Sequence, residues 1–185
     1  MRIIYLLPIL LVLSGPGPVS AAADKQTLQK GLSQGSFAAK DTTYSSEYGY
    51  SVLVPAGYQY SIVDEKAYGG VLSLVAVKDH GNDLKSVFTV LAKQVDPFSF
   101  SLEKEIGDIC RDLKAENPSC VFGSTVIYDT MDKARSDYRA IVRGYGMHGS
   151  IVVLRKGDKV YQLGLISYIY DQAKDDFERI INSFK

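Results

Sequence analysis

The chain has 185 residues, 46% of them hydrophobic, with 21 basic and 21 acidic residues and a formal charge of zero. That length suits one domain with a sizeable core. Neither sign of charge dominates, so nothing calls for a nucleic-acid partner, which would leave a basic stripe, or for a helix built for a membrane surface. At the N-terminus Arg2 precedes an apolar run over residues 3–13, and the breakers Gly15, Pro16, Gly17 and Pro18 follow. The run is about eleven residues long, against the roughly 20 needed to span a bilayer. Small residues then offer cleavage after Ala21 or Ala23, so residues 1–23 are predicted to be a secretory signal peptide. No Cys follows the run, which disfavours a lipoprotein. The expected mature protein is periplasmic or secreted, has no membrane span, and has lost only Arg2 among its charges.

Residues 24–43 are polar and small, and Gly31, Ser33, Gly35 and Ser36 break any long period. They read as a flexible leader with a short helix around residues 25–30. A single domain is predicted over residues 44–185. Its opening strand is Tyr48-Gly49-Tyr50-Ser51-Val52-Leu53-Val54, stopped by Pro55-Ala56-Gly57. A less regular stretch with Tyr58, Tyr60 and Tyr68 leads to Gly69-Gly70. Residues 71–77 and 87–92 are apolar at nearly every position, as in strands covered on both faces. The turn residues Lys78-Asp79-His80-Gly81-Asn82-Asp83 join them into a hairpin.

Leu102, Ile106, Ile109, Cys110 and Leu113 then share one face of a helix, with Ser101 as its cap and Glu103 and Glu105 near the positive end of its dipole. A strand over residues 121–128 and a turn over 129–132 follow. Tyr138, Ala140 and Val142 next alternate with Asp137, Arg139 and Arg143. Residues 144–149 read as a turn, 150–156 as a strand, and Gly157-Asp158 as a tight hairpin. Beyond it Tyr161, Leu163 and Leu165 face one way and Gln162, Gly164 and Ile166 the other. The chain closes with Ala173, Phe177, Ile180, Ile181 and Phe184 on one helical face, Asp171 as the cap, and Lys174, Asp175, Glu178 and Arg179 toward water. Burying such a face stabilises a fold by roughly 1.5–3 kcal/mol per large side chain, so each helix needs a sheet. The predicted class is α+β: an antiparallel β-sheet meander flanked by helices, an α/β/α sandwich.

At Tyr48-Gly49-Tyr50-Ser51-Val52, followed by Pro55-Ala56-Gly57-Tyr58, the sequence resembles the opening strand of the family of the photosystem II extrinsic subunit PsbP. The wider superfamily includes the Ran-binding Mog proteins and envelope proteins such as DcrB. The ending is similar too: Phe177, Ile180, Ile181, Ser183 and Phe184 match a closing helix in which an Ile pair precedes Ser-Phe. The resemblance runs from about Tyr44 onward. It implies an antiparallel sheet between helices and a function exercised by binding, with no shared catalytic set, and it implies no photosynthetic role.

Each motif that suggests chemistry also has a structural reading. Cys110 and Cys120 flank the break at Asn117-Pro118, and in an oxidising compartment a disulfide between them would contribute roughly 2–3 kcal/mol. That bridge is the expectation, with two buried thiols as the alternative. Gly31-Leu32-Ser33-Gln34-Gly35 spells a nucleophile elbow, yet no strand precedes it. Gly144-Tyr145-Gly146-Met147-His148-Gly149 spells the dinucleotide fingerprint, yet a strand and not a helix follows. Asp79, His80, Asn82 and Asp83 place metal-ligand types in one turn, but turn chemistry accounts for all four. No catalytic residue, metal or cofactor is therefore assigned. Tyr58, Tyr60 and Tyr68 are the candidate recognition surface, because tyrosine supplies rigid amphipathic contact area. The function expected is that of an exported, non-enzymatic cell-envelope protein that binds a protein partner or a small ligand. The alternatives are an uncharacterised hydrolase, with His80 or His148 as base, and a small-ligand carrier of the envelope.

Overall fold

The computed structural model describes residues 35–67, 70–82, 84–128, 132–142 and 144–185. The expected signal peptide, Ser33, Tyr68 and Asp83 lie outside the described residues. The elements are β1 (Ser36–Phe37), β2 (Thr42–Ser45), β3 (Ser51–Val54), β4 (Gln59–Ala67), β5 (Gly70–Asp79), β6 (Lys85–Gln94), α1 (Leu102–Glu116), β7 (Val121–Phe122), β8 (Val126–Tyr128), β9 (Lys133–Val142), β10 (Tyr145–Lys156), β11 (Lys159–Ser167) and α2 (Tyr170–Ser183).

The main sheet has the order β1-β4-β5-β6-β11-β10-β9-β7, with β8 also on β9. Its pairings are antiparallel. Two three-strand meanders, β4-β5-β6 and β9-β10-β11, are thus joined edge to edge through β6 and β11. Alternation along each strand sorts the side chains into two layers. On one face Leu74, Phe88, Val90, Val152, Leu163 and Leu165 pack under Phe177, Ile180 and Ile181 of α2. On the other Val87, Tyr138, Met147, Ile151, Val153 and Ile166 pack under Ile106, Ile109 and Leu113 of α1. The sandwich expected from the two helical stripes is the one observed.

Several local expectations are corrected. The domain reaches back beyond Tyr44: β1 pairs with β4, Ala38 is buried, and Asp41 forms an ion pair with Arg179 of α2. The opening strand, β3, pairs with β2 in a separate hairpin, which shares the layer of α2 through Tyr50, Val52 and Val54. Residues 121–128 hold two short strands on β9, interrupted near Gly123, whose N–H still reaches Asp137 O at 2.8 Å. Residues 145–149 belong to β10, so the turn before it is confined to the neighbourhood of Gly144. Gly149 is a strand glycine because Tyr138 lies directly across from it. A Cβ there would come within 2.5 Å of the Tyr138 ring and of Leu165 O.

Ser101 caps α1 as expected, accepting from Lys104 N at 3.3 Å. Asp171, by contrast, does not cap α2. The N-cap is Ile169, whose side chain makes no capping bond, and Asp171 stands inside the first turn. The chain then leaves α2 by pairing with β3: Ser51 and Lys185 exchange backbone bonds of 2.9 and 3.0 Å. Ser183 Oγ adds to this junction by accepting from Leu53 N at 2.8 Å.

Candidate binding site

α2 packs over β10 and β11 and beside β3, so its face of the sheet is covered at the centre and bare toward β9 and β7. Register then builds a row across that bare end. Val121 of β7 stands opposite Arg139 of β9, and Arg139 stands opposite His148 of β10. Directly opposed residues on one face hold their Cβ atoms within about 4.5–5.5 Å, so the guanidinium and the imidazole share one space. The N-terminal turn of α2 closes the row, with the Tyr170 ring 5.1 Å from that of His148. These residues line a cleft of about 420 Å³ together with Phe122, Asp137 and Tyr138. Its apolar rim is open to solvent, with Val121 67% exposed.

A closed polar network borders the cleft. Arg135 Nε donates to Asp137 Oδ1 at 2.8 Å and its Nη1 to Glu178 Oε1 on α2 at 2.6 Å. Ser150 Oγ donates to the same Asp137 oxygen at 2.5 Å. Burial works against the charge of Arg135, but Asp137 and Glu178 overcome it and hold the guanidinium above its ordinary pKa. Burial, followed by the Asp137 carboxylate, pushes the Tyr170 phenol up, so its hydroxyl stays a proton donor. Arg139 differs from these neighbours: among the described residues its guanidinium makes no ion pair or hydrogen bond. His148 has its ring contact with Tyr170 and no hydrogen bond among them.

The residues singled out from sequence fall elsewhere. Tyr58 is corrected as a recognition residue. It is 0% exposed, with its ring 5.6 Å from that of Phe88, because the chain after β3 tucks it beneath the α2 layer. Tyr60 is half-buried, 6.4 Å from the Tyr44 ring. Cys110 and Cys120 are free thiols and not the expected disulfide. Both belong to the apolar layer under α1, where burial pushes each thiol up and they serve as packed apolar groups. Asp79 Oδ1 accepts from Gly81 N at 2.7 Å, closing the β5–β6 turn. His80 Nε2 lies 2.9 Å from Ser86 Oγ, which is 2.8 Å from Ser167 Oγ. Both serines are fully buried, so this His–Ser pair is out of a substrate's reach.

No protein-family model and no curated protein matches the sequence. Among solved structures, that of cyanobacterial PsbP from Synechocystis sp. superposes with a TM-score of 0.59 at 18% identity, over 80% of this chain and 92% of that one. The chain has a PsbP-like fold. LpqN, involved in cell envelope biogenesis of Mycobacterium tuberculosis, gives a TM-score of 0.49 at 11% identity, over 79% of this chain and 90% of its own. A putative regulator of unknown function from Pseudomonas aeruginosa gives 0.49 at 8%, over 77% and 94%. On the PsbP-like scaffold of this chain, the cleft occupies the end of the sheet farthest from β4.

Proposed function

We propose that this chain is an exported, non-enzymatic protein of the cell envelope, and that it acts by binding through the cleft at β7, β9, β10 and the start of α2. The observation that carries the reading is the uncommitted Arg139 guanidinium beside His148 in an open cleft whose other charged groups are already paired. A binding site needs unsatisfied groups at its surface, and a structural ion pair does not. The leader, with Arg2, the short apolar run and Ala21 or Ala23 as cleavage site, supports export. No helix among the described residues is long and apolar enough to cross a membrane.

The hydrolase alternative has less support. A nucleophile must lie within hydrogen-bond reach of its base, and His148 has no such hydroxyl or thiol among the described residues. Ser150, the nearest serine along β10, is buried and bonded to Asp137. The test is photo-crosslinking in intact cells from position 121, with position 174 on the solvent face of α2 as control. A discrete adduct from 121 that is absent from 174 is expected. Monomer alone from both positions would overturn the reading.

A further inference from the structure

We infer that the cleft takes a monocarboxylate joined directly to an apolar or aromatic group, a ligand class that rests on the binding role proposed above. The unpaired guanidinium of Arg139 selects an anion. Arg135 is shared by two carboxylates, those of Asp137 and Glu178, so that network carries one excess negative charge. Arg139 adds a single uncommitted positive charge beside it. A cationic ligand would have to compete with Arg135, to which both carboxylates of this network are already bonded. A dianion such as phosphate would be repelled by the excess charge after neutralising Arg139. One carboxylate pairs with Arg139, the guanidinium here that has no ion pair among the described residues, without bringing a second negative charge toward Asp137 and Glu178, and its planar pair of oxygens matches the fork of a guanidinium.

The remaining wall selects what the carboxylate is attached to. Val121 on β7 and the Tyr170 ring present apolar surface around the polar row. Tyr170 holds the imidazole of His148 5.1 Å from its own ring, which fixes a second nitrogen-bearing group beside Arg139. Gly146, the neighbour of His148 on the same face of β10, leaves the approach open, since a Cβ there would meet nothing within 4 Å. At about 420 Å³ the cleft exceeds a bare ion and holds a ring or a short aliphatic chain.

The experiment follows amide resonances of the isotope-labelled mature chain during titration with benzoate, benzyl alcohol and inorganic phosphate. Benzoate is expected to shift Val121, Arg139, His148 and Tyr170 saturably, with the other two weaker by about tenfold or more. Arg139→Gln is expected to weaken benzoate by about tenfold while leaving the thermal midpoint unchanged, and Arg139→Lys to restore part of the loss. N-acetylleucine against its amide separates the two sources of such a carboxylate: binding of both benzoate and the acid but not the amide admits a peptide end, and binding of benzoate alone restricts the site to small acids. Equal benzoate binding by Arg139→Gln, equal binding of phosphate, or shifts confined to other residues would overturn the inference. If benzoate fails while position 121 still crosslinks, the ligand class falls and the binding role stands. If both fail, both fall.

Discussion

Tyr138 and Gly149 show how one pair of residues sets the shape of this sheet. The Tyr138 ring is fully enclosed and packs beside Phe122 at 5.7 Å between centroids. It can lie there only because the residue across from it on β10 has no side chain. Gly149→Ala forces the ring or the backbone to move, and overpacking of this kind costs about 1–3 kcal/mol. Chemical denaturation is expected to show that loss. Trimming the ring with Tyr138→Leu in the Gly149→Ala background should then recover part of it, because contacting sites are not additive. Equal losses from Gly149→Ala in the two backgrounds would show that the ring is not what the glycine accommodates. The sequence marked Tyr138 as inward-facing, but it gave Gly149 to a turn, since three glycines within six residues look like a loop until their partners across the ladder are known.

At the scale of the element, the two helices cover opposite faces by different means. α1 begins with a serine cap and two acidic residues in its first turn. α2 has no side-chain cap and is secured at its far end, where Ser183 and Lys185 bond to β3. Loss of an N-cap costs about 1 kcal/mol, whereas an exposed acid in the first turn contributes about 0.3–1 kcal/mol through the dipole alone. Ser101→Ala is therefore expected to lower the denaturation midpoint more than Asp171→Ala, and the reverse order would assign the cap to Asp171 after all. The hydrophobic spacing placed the buried face of α2 correctly, from Ala173 to Phe184. Its cap was misread because Asp is a favoured N-cap type, while the helix start is set two residues earlier by the turn out of β11.

At the scale of the whole molecule, the His80 imidazole ties the β5–β6 turn to Ser86 and through it to Ser167 at the end of β11. Burial and then Lys78 push the His80 imidazole below its ordinary value of 6.5, with Asp79 and Asp176 acting the other way. The folded state therefore disfavours the protonated ring. This contribution to stability is present above the unfolded value and is lost as the pH falls through the folded one. Thermal midpoints measured from about pH 7.5 to about pH 5 are expected to fall more for the natural chain than for His80→Gln, because glutamine can face Ser86 without titrating. Parallel curves for the two proteins would remove His80 from the acid response.

The sequence by itself determined that two amphipathic helices enclose an antiparallel sheet, because a period of 3.6 or 2 assigns each side chain to a buried or an exposed side without reference to anything distant. It also placed Asp137 and Arg139 together on the polar side of β9. Tertiary structure alone decided that β11 joins β6, that the β2–β3 hairpin leaves the main sheet to sit beside α2, and that Tyr58 goes inside. It also decided that α2 packs over β10 and β11, which leaves Arg139 exposed beside the half-buried His148 while Arg135 is tied to Glu178. Periodicity records which side of a strand faces inward, but not which strand lies next to it or where the covering helix ends. The candidate site is made at that boundary.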